Sequence, residues 1–178
     1  MATARTLAML EESSSTGDLV PAEAYYVPTK RFEASANADR VAGAQSLAAQ
    51  EEWPDLVAGF ETRWQAVSRR VAAEPEERTV TTRWGDPMLL TEFQVTRVVE
   101  LAVHGLDLAD ALGVEPWLTG AASDVVEGLI HPAGAHAVRQ RLGWDRAEFL
   151  RKTTGRSPLT GAERCTLEGY GTTWLTLG

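Results

Sequence analysis

The stretch VVELAVHGLDLADALG, Val98 to Gly113, decides how this 178-residue chain is read. Apolar residues recur through it at helical intervals, and Gly113 suits the position just past a helix end. Upstream, Thr91 and Gln94 form a capping-box pattern, which starts the helix there. A helix from there to about Leu112 is a rod of roughly 31 Å at ~1.5 Å per residue. At ~100° per residue, Glu100, His104 and Asp107 share one face. The opposite arc holds Val98, Leu101, Ala102, Leu106, Leu108, Ala109 and Leu112, which are expected to be buried.

Two readings of the polar face follow from chemistry. Glu100 and His104 can be a solvated pair one turn apart, worth only ~0.2–0.5 kcal/mol. They can also aim an oxygen and a nitrogen at one cation, within the ~2.0–2.2 Å that Zn²⁺ requires. Asp107 would then orient a ligand from behind. Two ligands do not hold a catalytic zinc, so a third would have to come from elsewhere in the chain.

Outward from this helix the pattern stays helical. Pro54 opens a helix whose apolar stripe is Leu56, Phe60, Trp64, Val67 and Val71, ending near Ala73. Ala36 to Gln50 is alanine-rich, and Thr6 to Glu12 reads as a short helical piece. Ser13 to Asp18 and Val20 to Phe32 read as loops. Arg78 to Arg83, followed by Gly85-Asp86-Pro87, predicts a short strand or hairpin. Downstream, Thr119 can cap a helix from Ala121 to Ile130, and Pro132 can open another to Leu142. Trp144 to Lys152 and Thr160 to Leu167 predict small helices. The fold class is all-α, as a single domain over residues 1–178.

Composition excludes several functions. A net charge of -8 argues against nucleic-acid binding and against docking on an anionic membrane. No apolar run nears the ~20 residues of a membrane span, and a convincing signal peptide is missing, so a cytoplasmic protein is expected. The single cysteine, Cys165, forbids an internal disulfide and reads as packing. The six tryptophans read as core and interhelix anchors. His131 and His136 read as surface or capping residues, since a spacing of five does not share a helix face. There is no phosphate-binding, dinucleotide, serine-hydrolase or C-x-x-C motif.

TRVVELAVHGLDLADALG, Thr96 to Gly113, resembles one helix of the mycothiol-dependent maleylpyruvate isomerase family, of the DinB-like superfamily. The shared pattern is E-x-x-x-H followed by G-x-D-x-A-x-A-x-G. Phe60, the Trp84-Gly85 turn, Phe149-Leu150, Thr154-Gly155-Arg156 and Pro158-Leu159 extend the likeness. The resemblance implies a four-helix bundle holding a divalent metal, typically zinc, on two His and one Glu. It implies a low-molecular-weight thiol, mycothiol or similar, that adds as thiolate to a small electrophilic substrate. The activity implied is metal- and thiol-dependent isomerisation or S-transfer, with Glu100 and His104 as metal ligands and Asp107 supporting them. The family's first metal-binding His would fall near Ala2, and no His precedes His104. The family's opening helix is also missing, so either the chain starts late or this member has lost the ligand. A shortened bundle would leave an apolar groove and favour a homodimer. The alternative function is a non-catalytic binding or scaffold module that has lost the metal site.

Overall fold

The computed structural model describes residues 2–27 and 34–175, without the side chains of 2–5, 34–37 and 40. It is mainly helical with one two-stranded hairpin, as the all-α reading expects. The described residues gather into two compact units: 2–21 with 34–93, and 22–27 with 94–175.

The first unit contains α1 (Ala2–Glu11), α2 (Ala34–Gln50), α3 (Trp53–Ala72), β1 (Thr79–Thr81) and β2 (Pro87–Leu89). Pro54 sits in the first turn of α3, where its missing N–H leaves no orphan. α1 packs on α3, burying Met9, Leu10 and Val67. Arg78 closes the open end of α1, donating from Nη2 to the carbonyls of Glu12 (2.6 Å) and Leu10 (3.3 Å). Those carbonyls lack helical partners, and a guanidinium fork is suited to them. The hairpin pairs Val80 with Met88, and both are fully buried. The Thr82 hydroxyl accepts from the amides of Trp84 and Asp86, both at 3.2 Å, which folds the turn at Gly85.

α4 (Leu90–Leu112) follows the hairpin without a loop and passes from the first unit into the second. The Leu90 amide donates to the Arg78 carbonyl at 2.8 Å, so the strand ladder leads directly into the helix. The capping box expected at Thr91 is therefore not the start, because the hairpin already fixes Leu90 and Thr91 lies in the first turn. The C-terminus behaves as the sequence implies. Gly113 takes φ 65°, and the amides of Gly113 and Val114 return to Asp110 and Ala109.

The second unit contains a 3-10 turn (Ala22–Tyr26), most of α4, and α5 (Gly120–Ile130), α6 (Ala135–Leu142), α7 (Arg146–Thr153) and α8 (Gly161–Gly169). The Tyr26 hydroxyl donates to the Thr96 carbonyl of α4 at 2.9 Å. Burial, with the nearby Glu100 charge adding to it, pushes that phenol far above its usual range. α5 packs on α6 and α7, and α6 on α8. Thr119 caps α5, Asp145 caps α7, and Thr160 with Glu163 forms a reciprocal capping box on α8. Pro132 opens no helix. His131 caps the end of α5, a turn follows, and α6 starts only after Gly134 at φ 107°.

Several burial expectations are corrected. On α4 the buried line is Val99, Ala102, Val103, Leu106 and Ala109, while Leu101, Leu108 and Leu112 face water. The apolar residues of this helix span a wider arc than its neighbours cover, so composition alone misplaces the seam. Of the six tryptophans only Trp144 is buried, and Trp53, Trp64, Trp117 and Trp174 are exposed. Cys165 is exposed on α8 rather than packed. His131 is buried, with its ring edge-on to Tyr170, whereas His136 is exposed. The proposed loop Val20 to Phe32 contains the 3-10 turn, and its part over 28–32 lies outside the described residues.

Candidate functional site

The residues singled out on α4 do meet. His104 Nε2 lies 3.3 Å from Glu100 Oε2, one turn back. His104 Nδ1 lies 3.0 Å from Asp107 Oδ2, one turn on. Helical spacing alone produces this, since positions three and four apart are neighbours on the surface.

The line is closed by a residue from far along the chain. Arg156 donates from Nε to Asp107 Oδ1 at 3.1 Å and from Nη2 to Oδ2 at 3.2 Å. Its Nη1 donates to the Thr154 carbonyl at 2.9 Å. The local backbone explains why it points there. α7 ends in a left-handed turn at Gly155 (φ 80°), with the Arg156 amide returning to the Arg151 carbonyl at 2.7 Å. That reversal brings the guanidinium against α4. One turn further along, Arg151 clamps Asp110 with Nε at 3.0 Å and Nη2 at 2.5 Å.

Electrostatics follow from these contacts. The bond to Glu100, then that to Asp107, raises the His104 pKa above the ordinary imidazole value, while partial burial opposes it. For Asp107, burial pushes the carboxyl up, but the bonds from Arg156 and His104 outweigh it and hold it below its usual range. Carboxylates only accept hydrogen bonds, so each ring contact is satisfied when that nitrogen of His104 carries a proton. The side chain of His104 is 54% exposed and that of Glu100 29%, so the face is open to small molecules.

The donor set fits a divalent cation in part. A carboxylate oxygen and an imidazole nitrogen lie side by side, and Asp107 sits on the other ring nitrogen, where an orienting carboxylate belongs. Among the described residues no group of three or more His, Cys, Asp or Glu could hold a metal. Glu100 and His104 are thus two donors, where catalytic zinc usually has three. His131 and His136 line a separate cavity of about 400 Å³ with Glu127, Arg139 and Arg146. The position expected for the family's first His, Ala2, lies in α1, and its side chain is outside the described residues.

Helical spacing groups Glu100, His104 and Asp107, whereas their clamp Arg156 has no such spacing to reveal it. A glycine ending a helix, followed at once by arginine, was the available signal. Among the described residues no helix is long and apolar enough to cross a membrane. No curated protein and no solved structure gives a match to the chain. Residues 2–109 match the mycothiol maleylpyruvate isomerase N-terminal domain, a stretch that includes Glu100, His104 and Asp107 and stops short of Arg156. The match spans more than half the chain, and the chain belongs to the mycothiol maleylpyruvate isomerase family.

Proposed function

We propose that this chain is a metal- and thiol-dependent isomerase or S-transferase acting on a small electrophilic metabolite, with Glu100 and His104 as two donors to a divalent cation. The mixed oxygen and nitrogen donors suit zinc among other divalent metals. The observation that carries the reading is the ordered line Arg156, Asp107, His104, Glu100. A bound cation would supply a thiolate from mycothiol or a similar thiol, because coordination removes the thiol proton at neutral pH.

The chain's own residues have distinct parts in this proposal. Asp107 accepts from Nδ1 and so fixes the ring plane, which leaves Nε2 on the Glu100 side. Arg156 lowers the Asp107 pKa and stops the carboxylate rotating away. Glu100 adds negative charge to the same spot, which draws a cation. The reading requires a third donor beyond Glu100 and His104.

The test is metal content on protein purified without a histidine tag and then given Zn²⁺. About one equivalent is expected, lost in His104→Ala, as for a site whose ligands must deprotonate. Less than about a tenth of an equivalent under these conditions would defeat the proposal.

A second reading is a non-catalytic binding module. One observation favours it: both ring nitrogens of His104 already face carboxylates, an arrangement that stabilises a proton there. It expects Glu100→Ala and His104→Ala to leave ligand or partner binding intact. Loss of a measurable thiol-transfer activity in either variant rules it out.

A further inference from the structure

Among the described residues, α3 is exposed along most of the face that its sequence builds for burial. Trp53, Val57, Phe60, Trp64, Val67 and Val71 fall within an arc of ~80° at ~100° per residue. Among the described residues α1 packs on α3, with Arg70 near the C-terminal end of α3 donating to the Leu10 carbonyl. The 10 residues of α1 face a helix of 20, so roughly 15 Å of rod lies on roughly 30 Å. Val67 is buried, but Trp53 is 74% exposed, Val57 46%, Phe60 50% and Trp64 49%. Two tryptophans and a phenylalanine on one exposed strip are the composition of a protein contact, not of a solvated surface.

The charges beside the stripe say what fits it. Glu52 and Arg63 lie on the same flank, ~20° apart around the axis, toward opposite ends of the strip. Beyond them, Glu51 and Asp55 mark the N-terminal end, and Arg69 and Arg70 the C-terminal end. A two-fold axis keeps matching flanks together and reverses direction. Each Glu52 then falls beside Arg63 of the other copy, twice over, and each acidic end faces a basic one. A parallel arrangement would stack like charges.

We propose that the exposed stripe of α3 is the contact face of an antiparallel homodimer, centred between Val57 and Phe60. The occupant is a second copy because the face is complementary to itself in apolar pattern and, along the Glu52–Arg63 flank, in charge under two-fold symmetry.

The experiment is sedimentation velocity on the full chain between ~1 and ~100 μM, a span that covers dimers of ordinary strength. A concentration-dependent dimer is expected. Trp64→Glu should weaken it at least ~tenfold, since buried tryptophans dominate interface energies. Glu52→Arg should also weaken it, and adding Arg63→Glu should restore it. Far-UV circular dichroism on each variant separates lost assembly from lost folding. A wild-type monomer throughout the range overturns the proposal. So does a dimer that survives Phe60→Glu with Trp64→Glu, or one broken by Leu108→Glu instead. A charge exchange that fails to restore assembly overturns the antiparallel register.

Discussion

Arg156 grips Asp107 with two nitrogens across 49 positions of sequence, at 3.1 and 3.2 Å. Asp107 in turn holds the ring of His104. The two contacts make one electrostatic unit in which the guanidinium lowers the carboxyl pKa and the carboxylate helps raise that of the imidazole.

Removing the clamp should therefore be felt at a residue Arg156 does not touch. Arg156→Met is expected to let the Asp107 pKa rise and, as the unclamped carboxylate rotates off Nδ1, to let the His104 pKa fall. Stability should drop by ~0.5–1 kcal/mol, the range for a partly exposed ion pair. Carbon and nitrogen NMR titrations of the two side chains, with urea unfolding, check both. A His104 titration unchanged in Arg156→Met refutes the relay.

The pH dependence has a definite sign. The folded His104 pKa lies above its unfolded value. Its contribution to stability is thus fully present below the ordinary imidazole pKa of ~6.5 and is lost as pH rises through the folded value. Glu100→Gln should flatten that part of the stability profile more than Asp107→Asn, because Glu100 supplies the larger effect. Equal profiles for wild type and Glu100→Gln would contradict the assignment.

Gly155 is the hinge that aims Arg156. At φ 80°, an alanine is strained by roughly 1–2 kcal/mol. Gly155→Ala should lower the melting temperature and also move His104 in the same direction as Arg156→Met. Gly105 makes the opposite case. It lies inside α4, and nothing approaches a Cβ placed there within 4 Å. Gly105→Ala should stabilise by ~0.5–1 kcal/mol, as helix propensity dictates. Thermal denaturation of both variants reads the contrast.

The buried seam of α4 can be tested by a pair of leucines two positions apart. Leu106 is fully buried and Leu108 is exposed. Leu106→Ala should cost ~2–4 kcal/mol, while Leu108→Ala should stay within ~0.5 kcal/mol. Denaturant midpoints decide it, and similar costs at both positions would mean the seam is misplaced.

The helices were legible because their ends carry local chemistry. Pro54, Thr119, Thr160 and Gly113 act within one turn of their own position, so spacing along the chain is enough to read them. The hairpin was legible for the same reason. Burial was not, because it depends on which neighbours arrive. Leu101, Leu108 and Leu112 look like core on a helical wheel, yet each is more than half exposed. The start of α4 was misread where a non-local bond, Leu90 to Arg78, replaces a cap. The site divides along the same line. Glu100, His104 and Asp107 are neighbours by helical geometry and could be grouped from sequence. Arg156 joins them only through tertiary folding, and no periodicity connects it to Asp107.

That long reach also orders events during synthesis. Glu100, His104 and Asp107 leave the ribosome together and can pair as soon as α4 winds. Arg156 emerges only after α5, α6 and α7 have been made. A nascent chain halted before that point would display the histidine and its two carboxylates with Asp107 unanchored. The polar line on α4 would be rigid only once the last third of the protein had docked, which ties completion of the site to completion of the fold.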